Sequence, residues 1–311
     1  MGGHFVKDTK ICGGLYGLLI GDALGVPYEF HMADEIPPYE QIEMQPPAGF
    51  CRSYPNIQPG TWSDDGAAAL CLLDSLLSQD QFDLHDFSKR IYQWYTQGFW
   101  AVDGKVFDVG IQTSQSLNAY SQGVPPEKCG FVRPDGKGNG ALMRVLPLAL
   151  WHQGTNVELV RDAHKQCLIT HGHICNQVCC ALYTLAARGL LQDMPPKAAI
   201  LYAVQTLRKL YQDMPEYAEE LEWSIRPDLP WEGDGSGYVV DCLRSAFMVI
   251  EQAESYEETV KWAIQLGDDT DTTACVAGGL AGIVFGMQGI PKRWLDMLRQ
   301  RDAVDALLAQ L

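Results

Sequence analysis

The segment Gly267-Asp268-Asp269-Thr270-Asp271-Thr272-Thr273 sets three carboxylates within four residues, directly ahead of the apolar stretch 274–290. A second acidic turn, Ser63-Asp64-Asp65, opens another predicted helix far earlier in the chain. Crowded carboxylates repel one another unless a cation sits among them. Hard oxygen ligands of this kind suit Mg²⁺, Mn²⁺ or Ca²⁺ better than zinc. A plainer reading competes, because Asp, Ser and Thr are preferred N-caps and acidic groups in a first turn suit the helix dipole. A cap, however, uses one such residue, and these turns supply Ser63, Asp64, Asp65, Asp269, Asp271 and Thr272. Four carboxylates would neutralise two divalent cations, so the residues point to a binuclear centre at two helix N-termini.

The elements that must position such a centre are helical, since apolar residues recur with a helical period and strand-like alternation is scarce. Helices are predicted over 10–25, 65–79, 84–97, 108–121, 140–152, 156–168, 173–189, 195–212, 238–253, 256–266, 272–287 and 291–310, an all-α fold punctuated by Pro and Gly. The longest irregular stretch, 31–62, ends at the first acidic turn and reads as a wall or lid of the site. Motifs at both ends of the chain have to converge, which predicts one domain over 1–311. Gly13, Gly17, Gly21 and Gly25 recur every fourth residue, as do Gly278, Gly282 and Gly286. Residues four apart share a helix face, and Gly inside a helix costs about 1 kcal/mol relative to Ala. The stripes therefore predict tightly packed central helices, set against one another, with Glu29 brought near the metal site.

Composition narrows the function. The chain has 311 residues, 47% hydrophobic and 20% charged, and can bury a large core. A net charge of −16 argues against nucleic-acid partners and anionic membranes, which are held through Lys and Arg. The ten cysteines are scattered without a CxxC pair. Cys175, Cys179 and Cys180 read as buried apolar positions of one helix, with a zinc cluster including His171 and His173 as the lesser alternative. The start, residues 1–8, lacks an export pattern, so a cytoplasmic location is expected. Segments 11–26 and 274–290 imitate membrane helices; the first is read as too short and both as buried in a core.

The ordered motifs carry a resemblance. Gly21-Asp22-Ala23-Leu24-Gly25-Val26-Pro27-Tyr28-Glu29, Ser63-Asp64-Asp65, Phe107-Asp108-Val109-Gly110, Gly138-Asn139-Gly140-Ala141-Leu142-Met143-Arg144, Thr170-His171, Gly237-Tyr238-Val239-Val240-Asp241 and the Gly267 motif follow the order of the ADP-ribosylglycohydrolase family. The chain resembles its dinitrogenase-reductase-activating glycohydrolase and ADP-ribosyl-acceptor hydrolase group over about 10–290. That resemblance implies a compact orthogonal all-α bundle with a binuclear Mg²⁺ or Mn²⁺ centre, held by Ser63, Asp64, Asp65, Asp269, Asp271 and Thr272. Many members have Gly where this chain has Asp268, which leaves that residue solvated or behind the ligands.

By the same resemblance Glu29 and Asp108 are the candidate catalytic groups; the plain alternatives are an exposed loop carboxylate and a helix cap. Gly138, Asn139, Gly140, Ala141 and Met143 would bind the diphosphate at a helix start, His171 the nucleotide portion, and Tyr238 a base. Asp22 reads as a buried anchor to a neighbouring turn, Arg144 as a structural salt-bridge partner, and His164 and His173 as structural. The implied reaction is hydrolysis at C1″ of ADP-ribose, releasing an ADP-ribosylated protein or small-molecule conjugate from its modification. An arginine linkage is slightly favoured over serine, O-acetyl or poly(ADP-ribose). The rival classes are a non-catalytic ADP-ribose-binding protein of the same fold and a Mg²⁺-dependent hydrolase of another ADP-ribose conjugate or a phosphate ester. A monomer is the simplest expectation for the oligomeric state, which no residue pattern fixes.

Overall fold

Runs of helical periodicity broken by Gly and Pro become fourteen α-helices among the described residues, which contain no strand. The computed structural model describes residues 2–311, with side chains from Thr9 onward; the reading of 1–8 as lacking an export pattern falls on side chains outside that description. The helices are α1 (Gly2–Gly25), α2 (Asp64–Gln79), α3 (Leu84–Gln97), α4 (Ile111–Ser121), α5 (Leu146–Trp151), α6 (Asn156–Cys167), α7 (Ile174–Leu191), α8 (Pro196–Leu210), α9 (Pro215–Glu219), α10 (Val239–Gln252), α11 (Tyr256–Gln265), α12 (Thr270–Gly289), α13 (Lys292–Met297) and α14 (Arg301–Leu308). They form two compact units. One holds the residues up to Gly66 with Trp231–Gly237 and Asp241–Gln310; the other holds Ala67–Pro230 with Tyr238–Val240.

The first unit is organised by the glycine seam. A Cβ on Gly13 would collide with the Gly282 carbonyl, one on Gly17 with that of Gly278, one on Gly21 with that of Ala274, and one on Gly25 with Asp271. Rising numbers on α1 meet falling numbers on α12, so the two helices run antiparallel, backbone against backbone. Thr270 Oγ1 donates to the Gly25 carbonyl at 2.8 Å and Tyr256 OH to the Gly17 carbonyl at 2.7 Å, which pins the seam. The two predicted stripes do meet. Gly286 plays another part: its φ of +66° takes the backbone out of the helical region, although it still abuts Gly13.

In the second unit α7 forms the core, buried along nearly its whole length. Local chemistry sets its neighbours. Asp83 caps α3 through the His85 and Asp86 amides, Thr155 and Glu158 close a capping box on α6, and His173 Nδ1 accepts from Cys175 N to cap α7. Cys175, Cys179 and Cys180 are buried thiols on α7, and among the described residues no cluster of thiols and imidazoles has metal-ligand spacing.

Two predicted helices change their bounds, and one element is new. The predicted 140–152 helix begins only at Leu146, because Pro147 fits the first turn of a helix and 140–144 form turns instead. The predicted 291–310 helix breaks between Met297 and Arg301, where Gln300 has φ +55° and Arg299 N donates to the Gly60 carbonyl. A short α9 running into a π-turn at Glu220–Ile225 was not anticipated. The reading of 11–26 as too short for a membrane span is also corrected. Among the described residues three helices, α1, α7 and α12, are long and apolar enough, and most of each apolar stretch is buried within the protein.

Candidate functional site

Within the first unit the two acidic turns converge. Asp22 on α1 is fully buried, and its carboxylate accepts from the amides of Ser63 (2.9 and 3.0 Å) and Gly66 (2.8 Å). Ser63 Oγ accepts from Asp65 N at 3.3 Å. Asp22 and Ser63 therefore cap α2, and the side chains of Asp64 and Asp65, also buried, are left for other work. At the second turn Asp269 occupies the N-cap position of α12 but makes no side-chain capping bond. Asp271, fully buried, accepts from Thr272 N at 2.8 Å. The turns touch where Thr272 Oγ1 donates to Asp65 Oδ1 at 3.3 Å. The capping alternative thus accounts for Asp22 and Ser63 and leaves the other carboxylates unexplained.

Glu29 joins them. Backbone pairing of Phe30 N with the Asp268 carbonyl and of Asp268 N with the His31 carbonyl, both 2.7 Å, lays 30–31 along the acidic turn. Glu29 is 5% exposed, which excludes a solvated loop carboxylate, and an oxygen of it lies within 4.8 Å of one of Asp271. One oxygen each of Glu29, Asp65 and Asp271 is buried without accepting a hydrogen bond. The field is strongly negative: burial pushes the Cys275 thiol far up, and Asp65, Asp22 and Asp271 push it further. The carboxylates of the two turns, with the hydroxyls of Ser63 and Thr272, form an all-oxygen donor set that fits a hard divalent cation. Ser63, Asp64, Asp65, Asp269, Asp271 and Thr272 all lie in this unit, on the two turns.

The remaining candidates lie in the second unit. Gly138 and Tyr238 form an isolated antiparallel bridge, supported by Val239 N donating to the Lys137 carbonyl at 2.9 Å. Tyr238 remains 41% exposed, so its ring is available to a ligand. The turn 138–143 is braced from below. Asn176 donates to the Gly138 carbonyl at 2.9 Å, and the Leu142 and Met143 amides both turn in to the Asn139 carbonyl. Asn139, Gly140, Ala141 and Met143 are buried and Gly138 partly so. His171 packs its ring against Gly140, where a Cβ would approach Cε1 to 2.6 Å, and Nδ1 shares a hydrogen bond with Thr170 Oγ1. Burial, assisted by Arg144, pulls its pKa down to about 3. Arg144 donates to Gln166 Oε1 and to the Gln166 and Gly140 carbonyls, which fasten this turn to α6. Asp108 is half-buried with φ +56° and is not a helix cap, since α4 begins at Ile111 with Gly110 at its N-cap.

Residues 6–311 match the family model for ADP-ribosylglycohydrolases. The chain belongs to the ADP-ribosylglycohydrolase family. An ADP-ribosylarginine hydrolase Tri1 of Serratia proteamaculans is 30% identical over 304 residues, covering 97% of this chain and 78% of the relative. The ADP-ribosyl-(dinitrogen reductase) glycohydrolase of Rhodospirillum rubrum is 28% identical over 315 residues, covering 99% and 98%. A solved ADP-ribosylglycohydrolase-related protein complex superposes with a TM-score of 0.79 at 29% identity, covering 98% of this chain and 97% of the other. The family is hydrolytic, and this chain is an enzyme of that class with the all-α fold its motifs imply.

For an ADP-ribosylglycohydrolase the Gly-to-Asp change at 268 has a local explanation. Asp268 takes φ +58° and is exposed, a backbone geometry that Gly adopts freely and Asp tolerates. Sequence reasoning assigned no role to Asp241, whose carboxylate accepts from Asp234 N, Ser236 N and Ser236 Oγ. That loop in turn presents the Gly235 carbonyl to Asp269 N at 3.0 Å. It also missed Glu43, which joins Lys261, Arg293 and Trp294 and whose backbone is clamped by Tyr28 OH, the neighbour of Glu29. Asp241 closes the quoted Gly237 motif, whereas Glu43 lies in the irregular stretch 31–62 with no motif around it.

Proposed function

We propose that this ADP-ribosylglycohydrolase removes ADP-ribose from modified arginine on protein, using two Mg²⁺ or Mn²⁺ ions. The observation that carries the metal reading is the convergence of the two acidic turns with Glu29, at positions where Asp22 and Ser63 already do the capping. Asp64, Asp65, Asp269 and Asp271, with Ser63 and Thr272, would hold the ions, which when bound supply Lewis acidity and lower the pKa of coordinated water. Glu29, buried against Asp271, is the candidate to orient or accept a proton from the attacking water. The turn would receive the diphosphate on the backbone of 138–141, since the Leu142 and Met143 amides are spent on the Asn139 carbonyl, with neutral His171 beneath it fixing the turn's shape. Tyr238 offers an exposed ring for the base and Asp108 a half-buried carboxylate for the ribose. The arginine linkage is supported by the similarity to the ADP-ribosylarginine hydrolase Tri1 of Serratia proteamaculans. A cytoplasmic location is proposed from the free cysteines.

The deciding experiment measures ADP-ribose release from matched ADP-ribosyl-arginine and ADP-ribosyl-serine peptides with Mg²⁺, Mn²⁺ or EDTA. Metal-dependent release from the arginine peptide is expected. Release that persists fully in EDTA would remove the metal from the reaction, and release from the serine peptide alone would reassign the substrate.

A further inference from the structure

We propose that the second unit carries a small-molecule site for a flat apolar anion, built on α6, α8 and α9 from residues that none of the roles above uses. A cavity of about 380 Å³ opens beside α6, within the size range of ligand pockets. Val160, Leu168 and Leu210 line its floor, and Val157 and Met214 stand at its mouth, 59% and 37% exposed.

One wall is aromatic. His164 lies nearly parallel to Tyr217, with ring centroids 4.9 Å apart, and to Tyr211 at 5.9 Å, both at 28° between planes. The polar tips of these rings are already matched: His164 Nε2 with Tyr211 OH at 2.8 Å, and Tyr217 OH donating to Gln177 Oε1 at 2.9 Å. Burial lowers the His164 pKa to about 4, so the wall is uncharged at neutral pH. A water in a cavity needs two or more polar partners, and groups already matched to one another favour an apolar occupant. Aromatic walls favour a flat one, through offset or edge-on ring contacts.

The anionic end follows from α6. Arg161 and Lys165 are four residues apart and both line the cavity. Arg161 is held by Asp162 at 2.9 Å. Lys165 has no acidic partner among the described residues. A lysine without a counter-charge, at an apolar cavity of a protein whose net charge is −16, favours an occupant that brings one negative charge.

The proposal does not depend on the hydrolase reading, and its test needs neither metal nor ADP-ribose. Calorimetric titration of the full chain with 2-naphthoate should give one site, with 2-naphthamide binding several-fold more weakly. Lys165→Gln should weaken naphthoate by about three- to five-fold, the scale of a partly exposed charge pair, and leave the amide unchanged. Val157→Trp, placed at the exposed mouth, should abolish both while the melting temperature stays that of the parent. Absence of naphthoate binding at millimolar concentration overturns the site. Equal affinity for acid and amide, or unchanged affinity in Lys165→Gln, overturns the anionic character, and binding that survives Val157→Trp overturns the location.

Discussion

The acidic turns of the first unit and the glycine turn of the second are built on opposite principles. In the first, the proposed chemistry belongs to side chains and the backbone is subordinate: α1 and α12 approach until their glycines touch, and Asp22 takes over the capping so that Asp64 and Asp65 are released from it. In the second, the proposed working surface is the backbone, and side chains serve as struts. Arg144, Asn176 and His171 hold 138–143 from below, and His171 is stripped of charge by burial. Side-chain sites tolerate crowding only with a counter-ion, whereas backbone sites depend on the absence of side chains. Substitutions in the two places should therefore fail in different ways.

The largest contrast should come from Asp271→Asn. Removing one buried carboxylate from a crowded set relieves repulsion, so the metal-free protein should be at least as stable as the parent. Activity should fall by about 100-fold or more, beyond the loss typical of groups that merely support ligands. Parent protein should gain stability on adding Mn²⁺, about 2.7 kcal/mol at a hundred times Kd, and the variant should gain far less. Thermal unfolding with and without metal, beside the peptide assay, reads both. A variant stabilised by metal as strongly as the parent would mean that Asp271 is no ligand.

Gly278→Ala should invert that pattern. Its Cβ would lie 2.5 Å from the Gly17 carbonyl, an overpacked backbone contact costing about 3 kcal/mol. Urea unfolding should show the loss, and activity should suffer only through the displaced turns.

How legible each region was follows from these same principles. Six oxygen side chains on two turns exceed what capping needs, and glycines at a fixed interval advertise a seam, so the convergence of the acidic turns and the α1–α12 pairing could be read from the chain. The all-α class was equally legible from the helical period. The glycine turn was misread as a helix start: Pro147 marked the true first turn, but the bracing of 140–144 depends on Arg144 reaching Gln166, a tertiary contact without a local signature. The break before α14 was hidden for the same reason: Gln300 enters the left-handed region where Arg299 N meets Gly60, with no Gly or Pro at the break itself.

Gly140→Ala tests the backbone side of the comparison more gently. The added methyl meets the His171 ring at 2.6 Å from Cε1, so the ring or the turn must shift. A loss of about tenfold in kcat/KM is expected, equivalent to about 1.4 kcal/mol of transition-state stabilisation, with metal binding intact. Smaller residues at 171, as in Gly140→Ala/His171→Ala, should recover part of that loss if the clash is the cause.

The smallest effect concerns protons. His171 titrates near 6.5 when unfolded and near 3 when folded. Between those values the unfolded chain binds more protons, so this group's contribution to stability falls as pH drops below 6.5 and is progressively lost down to about 3. At pH 5 the unfolded state gains about 2 kcal/mol from protonating this ring. His171→Asn should therefore lose about 2 kcal/mol less than the parent between pH 7.5 and pH 5, measured by urea unfolding at both. Carboxylate protonation acts equally on the two proteins and cancels in that difference. A parent that lost no more than the variant would show His171 charged in the folded state, and a charged ring beneath 138–143 would make it a direct partner of a diphosphate rather than a neutral strut.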